Sequence, residues 1–168
     1  MQSPESRKQD RPLYERLYVA QEDLRQAASF AAHILKNGWH FHPWERRSTT
    51  YMKQSAFTTA LVVSYARPFT KSRGWPKIPK RIAPYDQEQK TLHKRILALR
   101  NEIYAHSDVG KRNVRPFKIL DRPSAIEMLP SMRLTKEETE MILRMIRLTN
   151  DAISIRLGQL IDAVLDKT

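Results

Sequence analysis

"TKEETEMILRMIRLTNDAISIRLGQLIDAVLD", residues Thr135 to Asp166, reads as one helix from end to end. It opens on a capping box, Thr135 to Glu138, in which hydroxyl and carboxylate each satisfy the other residue's backbone N–H. Apolar residues follow along two lines. Met141, Met145, Leu148, Ala152 and Ile155 form one; Ile142, Ile146, Ile153, Leu157, Leu160 and Val164 form the other. A helix with so wide an apolar surface is buried between neighbours, within its protomer or between subunits. The core is therefore built from packed helices.

Upstream, "VGKRNVRPFKILDRPSAIEMLPSMR" (Val109 to Arg133) is broken by Gly110, Pro116, Pro123 and Pro130. Its FKIL and AIEML pieces predict a short irregular insert or a small hairpin. Before that lies a third helix, with Asp86 as cap, Gln89 as its reciprocal partner, and Leu92, Ile96, Leu99 and Ile103 as its apolar stripe. "RPFTKSRGWPKIPKRIAP" (Arg67 to Pro84) holds four prolines and six basic residues and predicts a basic loop. A second helix runs from about Trp44 to Tyr65, with Tyr51, Ser55, Thr58, Val62 and Tyr65 on one side and Pro68 at its end. The first runs from about Pro12 to Lys36 along Leu13, Leu17, Ala20, Leu24, Ala27, Ala31 and Leu35. Asp10 caps it, Pro12 sits in its first turn, and Asn37-Gly38 supplies a left-handed stop. The expectation is an all-α bundle of four to five helices, a single domain over residues 12–168 behind a flexible polar lead over 1–11.

The 168 residues suit one domain, and no apolar run approaches the length needed to span a bilayer. The chain has no cysteine, which excludes disulfides and thiolate metal sites. With four glycines in all, a glycine-rich phosphate loop on an α/β fold is not credible. A cytoplasmic protein without membrane contact is expected. Its net charge is +12, and the span Arg67 to Arg122 holds fifteen basic and five acidic residues, so +10 falls in that third. Such a concentration favours a polyanionic partner, nucleic acid foremost.

Within that third, "LALRNEIYAHSD" (Leu97 to Asp108) closes the third helix with Arg100, Asn101 and His106. On a helical wheel, Arg100 and His106 flank the Ile96–Leu99–Ile103 stripe on opposite sides, separated by about 9 Å along the axis. The two converge on one phosphate if the helix end bends or if a second subunit's copy faces the first. The stripe between them offers a surface for such pairing, which points to a composite site across a two-fold axis. Arginine's planar fork matches phosphate oxygens, and histidine moves a proton near neutrality. Together they suffice to cleave RNA without metal: His106 would handle the 2′-hydroxyl or leaving-group proton and Arg100 the charge on phosphorus, while Asn101 would position phosphate or imidazole. The pattern alone also reads as two helix-end partners of the helix dipole.

"LRNEIYAHSD" resembles the Arg-(x)4–6-His motif of the HEPN superfamily, and with "YARPFTKS" upstream it looks like the abortive-infection AbiU-type branch. The resemblance covers about Tyr51 to Asp108. It implies a four- to five-helix HEPN-like bundle, a homodimer in which two motifs face each other, and a metal-independent endoribonuclease acting as a toxin in phage defence. An antitoxin or other regulatory protein is an implied partner. Arg100 and His106 would be catalytic, with Asn101 as their polar companion. Some members carry a tyrosine two residues past the histidine as a target for nucleotide transfer; here that position is Asp108. Other members lack nuclease activity, so a non-catalytic module binding RNA or a protein partner is the alternative.

Arg67, Lys71, Arg73, Lys77, Lys80 and Arg81 of the basic loop are the candidate RNA-backbone contacts. His33, His40 and His42 have no carboxylate cluster beside them, so they read as packing or surface residues, and no metal or cofactor is expected. Trp39, Trp44 and Trp75 read as packing residues around the bundle.

Overall fold

The computed structural model describes the backbone of residues 4–41, 48–105, 113–128 and 133–165, and the side chains of 10–41, 49–101, 116–124 and 133–165. Among these, four α-helices and one two-stranded sheet make up the regular structure. They are α1 (Pro4–Lys36), α2 (Ser48–Ala66), α3 (Gln87–Ala105), β1 (Asn113–Ile119), β2 (Arg122–Met128) and α4 (Lys136–Leu165). The bundle is all-α apart from the hairpin. α1 packs along α4 on one side and α2 on the other, and α3 closes against α2. Leu17 and Leu24 of α1, Leu61 and Tyr65 of α2, Ile96 of α3, and Ile142, Met145, Ile146 and Ile153 of α4 form the buried centre. Each such aliphatic side chain contributes roughly 1.5–3 kcal/mol by leaving water. No helix among the described residues is long and apolar enough to cross a membrane.

Both expected capping boxes and the glycine stop are present. The Asp86 backbone N–H donates to Gln89 Oε1 at 3.1 Å, and the Gln89 N–H to Asp86 Oδ1 at 2.8 Å. The Thr135 N–H donates to Glu138 Oε2 at 3.0 Å, and the Glu138 N–H to Thr135 Oγ1 at 3.2 Å. α1 ends with Gly38 at φ 64°. The Trp39 N–H returns to the Ile34 carbonyl at 2.9 Å and the Gly38 N–H to that of Leu35 at 3.3 Å, the paired bonds of a Schellman stop. The hairpin is also formed. Ile119 pairs with Arg122 across Leu120 and Asp121, both at positive φ (47° and 62°), as a two-residue turn with the handedness of a twisted ribbon requires.

One expectation is corrected. α1 begins at Pro4, so residues 4–11 are helix rather than a loose lead, and Pro12 and Asp10 lie inside it instead of at its start. Residues 5–11 are mostly good helix formers, and Pro4 occupies the one position where a missing N–H costs nothing. α2 is described from Ser48 onward, and its expected start at about Trp44 lies outside the described residues. Within the protomer, Met145, Ile142, Ile146, Ile153 and Leu160 of α4 are buried, whereas Leu148 and Ile155 are exposed.

Candidate nucleic-acid interface

Arg16 of α1 is the anchor of the basic segment. Only 5% exposed, its Nη2 donates to the carbonyl oxygens of Arg67 and Pro68, each at 3.1 Å, and of Thr70 at 3.4 Å. Those residues follow α2 directly, in a 3-10 turn (Arg67–Phe69) that Pro68 starts. The guanidinium also lies 5.9 Å from the centre of the Trp75 ring. Arg67 Nη1 meets Asp23 Oδ1 of α1 at 3.2 Å. Burial lowers the Arg16 pKa, and the charge of Asp23 opposes that shift. The loop read from sequence is thus folded onto α1 by a buried cation, with a second 3-10 turn at Lys80–Ile82.

Between this segment and α3 opens a cleft of about 610 Å³. Six cations line it: Arg16, Lys71, Lys77 and Lys80 from one wall, Lys90 and Lys94 of α3 from the other. No aspartate or glutamate is among the lining residues. Phe69, Trp75, Ile78 and several prolines supply its apolar surface. Like charges gathered on a lining without a carboxylate raise the local positive potential and draw anions inward.

His93 lies in the same cleft, on the α3 face that carries Lys90. Its Nδ1 lies 2.9 Å from the Tyr65 hydroxyl. The Tyr65 hydroxyl donates to Tyr85 Oη at 3.2 Å, Tyr85 Oη meets Thr149 Oγ1 at 2.6 Å, and Thr149 Oγ1 donates to the Met145 carbonyl at 2.9 Å. A carbonyl only accepts, so the direction of the whole chain follows. Thr149 gives its proton to Met145, Tyr85 gives its own to Thr149, and Tyr65 gives its own to Tyr85. His93 must then donate from Nδ1, which leaves the lone pair on Nε2, pointing away from Tyr65. Burial lowers the His93 pKa, so the neutral ring dominates at neutral pH. Burial also raises the pKa of Tyr65 and Tyr85 and keeps both as hydroxyls.

Of the residues singled out from sequence, Lys71, Lys77 and Lys80 are brought together in the cleft. Arg67 is paired with Asp23, Arg73 is exposed outside the lining, and Arg81 faces a separate hollow of about 250 Å³ shared with Ile155 and Arg156 of α4. Arg100 is half-buried on α3, and its Nη1 donates to Asn101 Oδ1 at 3.2 Å. Seven residues beyond His93, Arg100 falls on the same helical face about 10 Å further along. Neither Arg100 nor Asn101 lines the cleft. His106 and Asp108 lie outside the described residues, as does the Ile103 side chain. Leu92, Ile96 and Leu99 are buried in the protomer's own core, so these three residues of the stripe expected to serve subunit pairing are covered. The physical reason is that α3 has a single apolar face, and α2 occupies it.

His33 stacks on Phe57, with ring centres 5.0 Å apart, and His40 is buried; among the described residues no three metal-ligating side chains gather. Trp39 packs against Phe57, as a packing reading requires, whereas Trp75 is 38% exposed. His42 and Trp44 lie outside the described residues. Sequence reasoning missed Arg16, Lys90, His93 and Lys94. The i, i+3, i+4 spacing of the last three, in the most basic third of the chain, was the available signal. No protein-family model, curated protein or solved structure matches this chain.

Proposed function

We propose that the chain binds single-stranded RNA in the cationic cleft and cleaves it without metal, as a HEPN-type endoribonuclease and toxin acting as a homodimer. The carrying observation is the cleft itself: six cations, no carboxylate and an exposed Trp75 along the face of α3 that leads to Arg100. Lysines track a phosphate backbone and an aromatic surface receives unstacked bases, a combination that tolerates sequence and suits single strands. RNA following that face reaches Arg100 and Asn101, where Arg100 would stabilise charge on phosphorus and His106 would transfer the proton. Phage defence under control of an antitoxin is the setting that the motif's resemblance implies.

A second reading is favoured by one observation. Burial of Leu92, Ile96 and Leu99 in the protomer covers three residues of the stripe on which pairing across α3 was argued, which supports a non-catalytic RNA-binding module. Incubation of purified protein with labelled RNA, with and without a chelator, separates the two. Cleavage that survives the chelator supports the nuclease; binding without cleavage supports the module.

A further inference from the structure

We infer that the cleft holds one phosphorylated nucleoside, its phosphate among Lys71, Lys77 and Lys80, its base against Trp75, and a ribose hydroxyl donating to His93 Nε2. This subsite rests on the reading of the cleft as a nucleic-acid surface and names the unit that the surface recognises. Three observations converge on it. The cleft of about 610 Å³ is larger than an inorganic anion needs and falls in the usual range for small-molecule sites. Its lining joins cations to aromatic and proline surface, which matches a ligand with a charged end and a flat end. The hydroxyl chain from Met145 to His93 leaves Nε2 as an acceptor at the cleft, to which a ligand hydroxyl can donate. A nucleotide's ribose brings one together with a flat base for Trp75, whereas inorganic phosphate brings no flat group at all.

A hydrogen-bond acceptor beside lysines is selective for a neutral hydroxyl carried next to an anion. The locked tautomer also distinguishes His93 from an ordinary surface histidine, which would present either nitrogen. The nucleotide can be free or can be the terminal unit of an RNA; its chemistry in the cleft is the same.

The test is calorimetric titration of the full-length protein with 5′-AMP, adenosine and inorganic phosphate, followed by short RNAs bearing a 5′-phosphate or a 5′-hydroxyl. 5′-AMP should bind at least about tenfold more tightly than either adenosine or phosphate. H93Q should lose about tenfold toward 5′-AMP while phosphate binding stays the same, and K77A/K80A should weaken both ligands. The lysines are exposed at the cleft, so the double variant tests the site without endangering the fold. Tighter binding of the 5′-phosphorylated RNA assigns the unit to an RNA end; equal binding of the two RNAs assigns it to free nucleotide. Phosphate binding as tightly as 5′-AMP, or 5′-AMP affinity unchanged in K77A/K80A, overturns the subsite. If longer RNA is still bound in that case, the RNA reading stands while the subsite falls; if RNA is neither bound nor cleaved, the RNA reading falls by itself.

Discussion

The Tyr85 hydroxyl lies 2.6 Å from Thr149 Oγ1, joining a residue two positions before α3 to the buried centre of α4. This hydrogen bond directs every hydroxyl between Met145 and His93, and it connects the core to the cleft. Thr149→Val keeps the shape of the side chain and removes the acceptor, so it should cost about 1–3 kcal/mol. Tyr85→Phe should cost a similar amount. The double variant should cost less than both singles together, because each substitution also removes the group that the other leaves unsatisfied. Urea denaturation of the four proteins measures the coupling; strict additivity would show that the hydrogen bond contributes nothing.

The same chain makes stability depend on pH. Burial holds the His93 pKa below its ordinary value of 6.5, and the charged groups beside it in the cleft, Lys90 and Lys94, are cations. The unfolded chain therefore takes up the proton first. Stability due to neutral His93 is fully present above about pH 6.5 and is lost on acidification through the lower folded value. Wild type should lose more stability than His93→Gln between about pH 7.5 and pH 5. Parallel pH profiles from the two proteins would remove His93 as the titrating group.

Much of the bundle was legible because its signals are local. Both capping boxes, Asp86–Gln89 and Thr135–Glu138, and the Asn37-Gly38 stop each need only a few neighbouring residues, and all three are formed. The start of α1 was not legible, because Pro12 looks like a first-turn residue wherever it stands. The cleft was legible in half. Lys71, Lys77 and Lys80 show in the composition of the loop, whereas Arg16 joins them across 51 residues and more of sequence through backbone carbonyls that no side-chain pattern reveals. His93 was hidden for a related reason: its partners, Tyr65 and Tyr85, lie on other elements.

Arg16 carries the loop's position. Arg16→Met should keep much of the packing but leave the Arg67, Pro68 and Thr70 carbonyls without their donor, at a cost of about 2–3 kcal/mol. The segment should lose its order before the bundle unfolds. Amide exchange should therefore quicken in residues 68–83 well ahead of α4. Uniform exchange across both regions would show that the clamp is dispensable.

The placement of cations separates two groups of loop residues. Lys77→Ala with Lys80→Ala should weaken RNA binding and flatten its salt dependence by about 0.7 in slope for each phosphate that is no longer neutralised. Arg73→Ala with Arg81→Ala should do much less, since neither residue lines the cleft. Fluorescence anisotropy over a salt series measures both, and equal effects from the two pairs would place RNA outside the cleft.

The most direct measurement is cleavage of labelled RNA in the presence of a chelator by wild type, Arg100→Ala and His106→Ala. Metal-independent cleavage by wild type, with each variant slowed by two orders of magnitude or so, is the expected result. Arg100→Lys should recover only part of the rate, because lysine lacks the planar fork. Wild type that binds RNA and leaves it intact, or a His106→Ala protein that cuts at the wild-type rate, would contradict the nuclease.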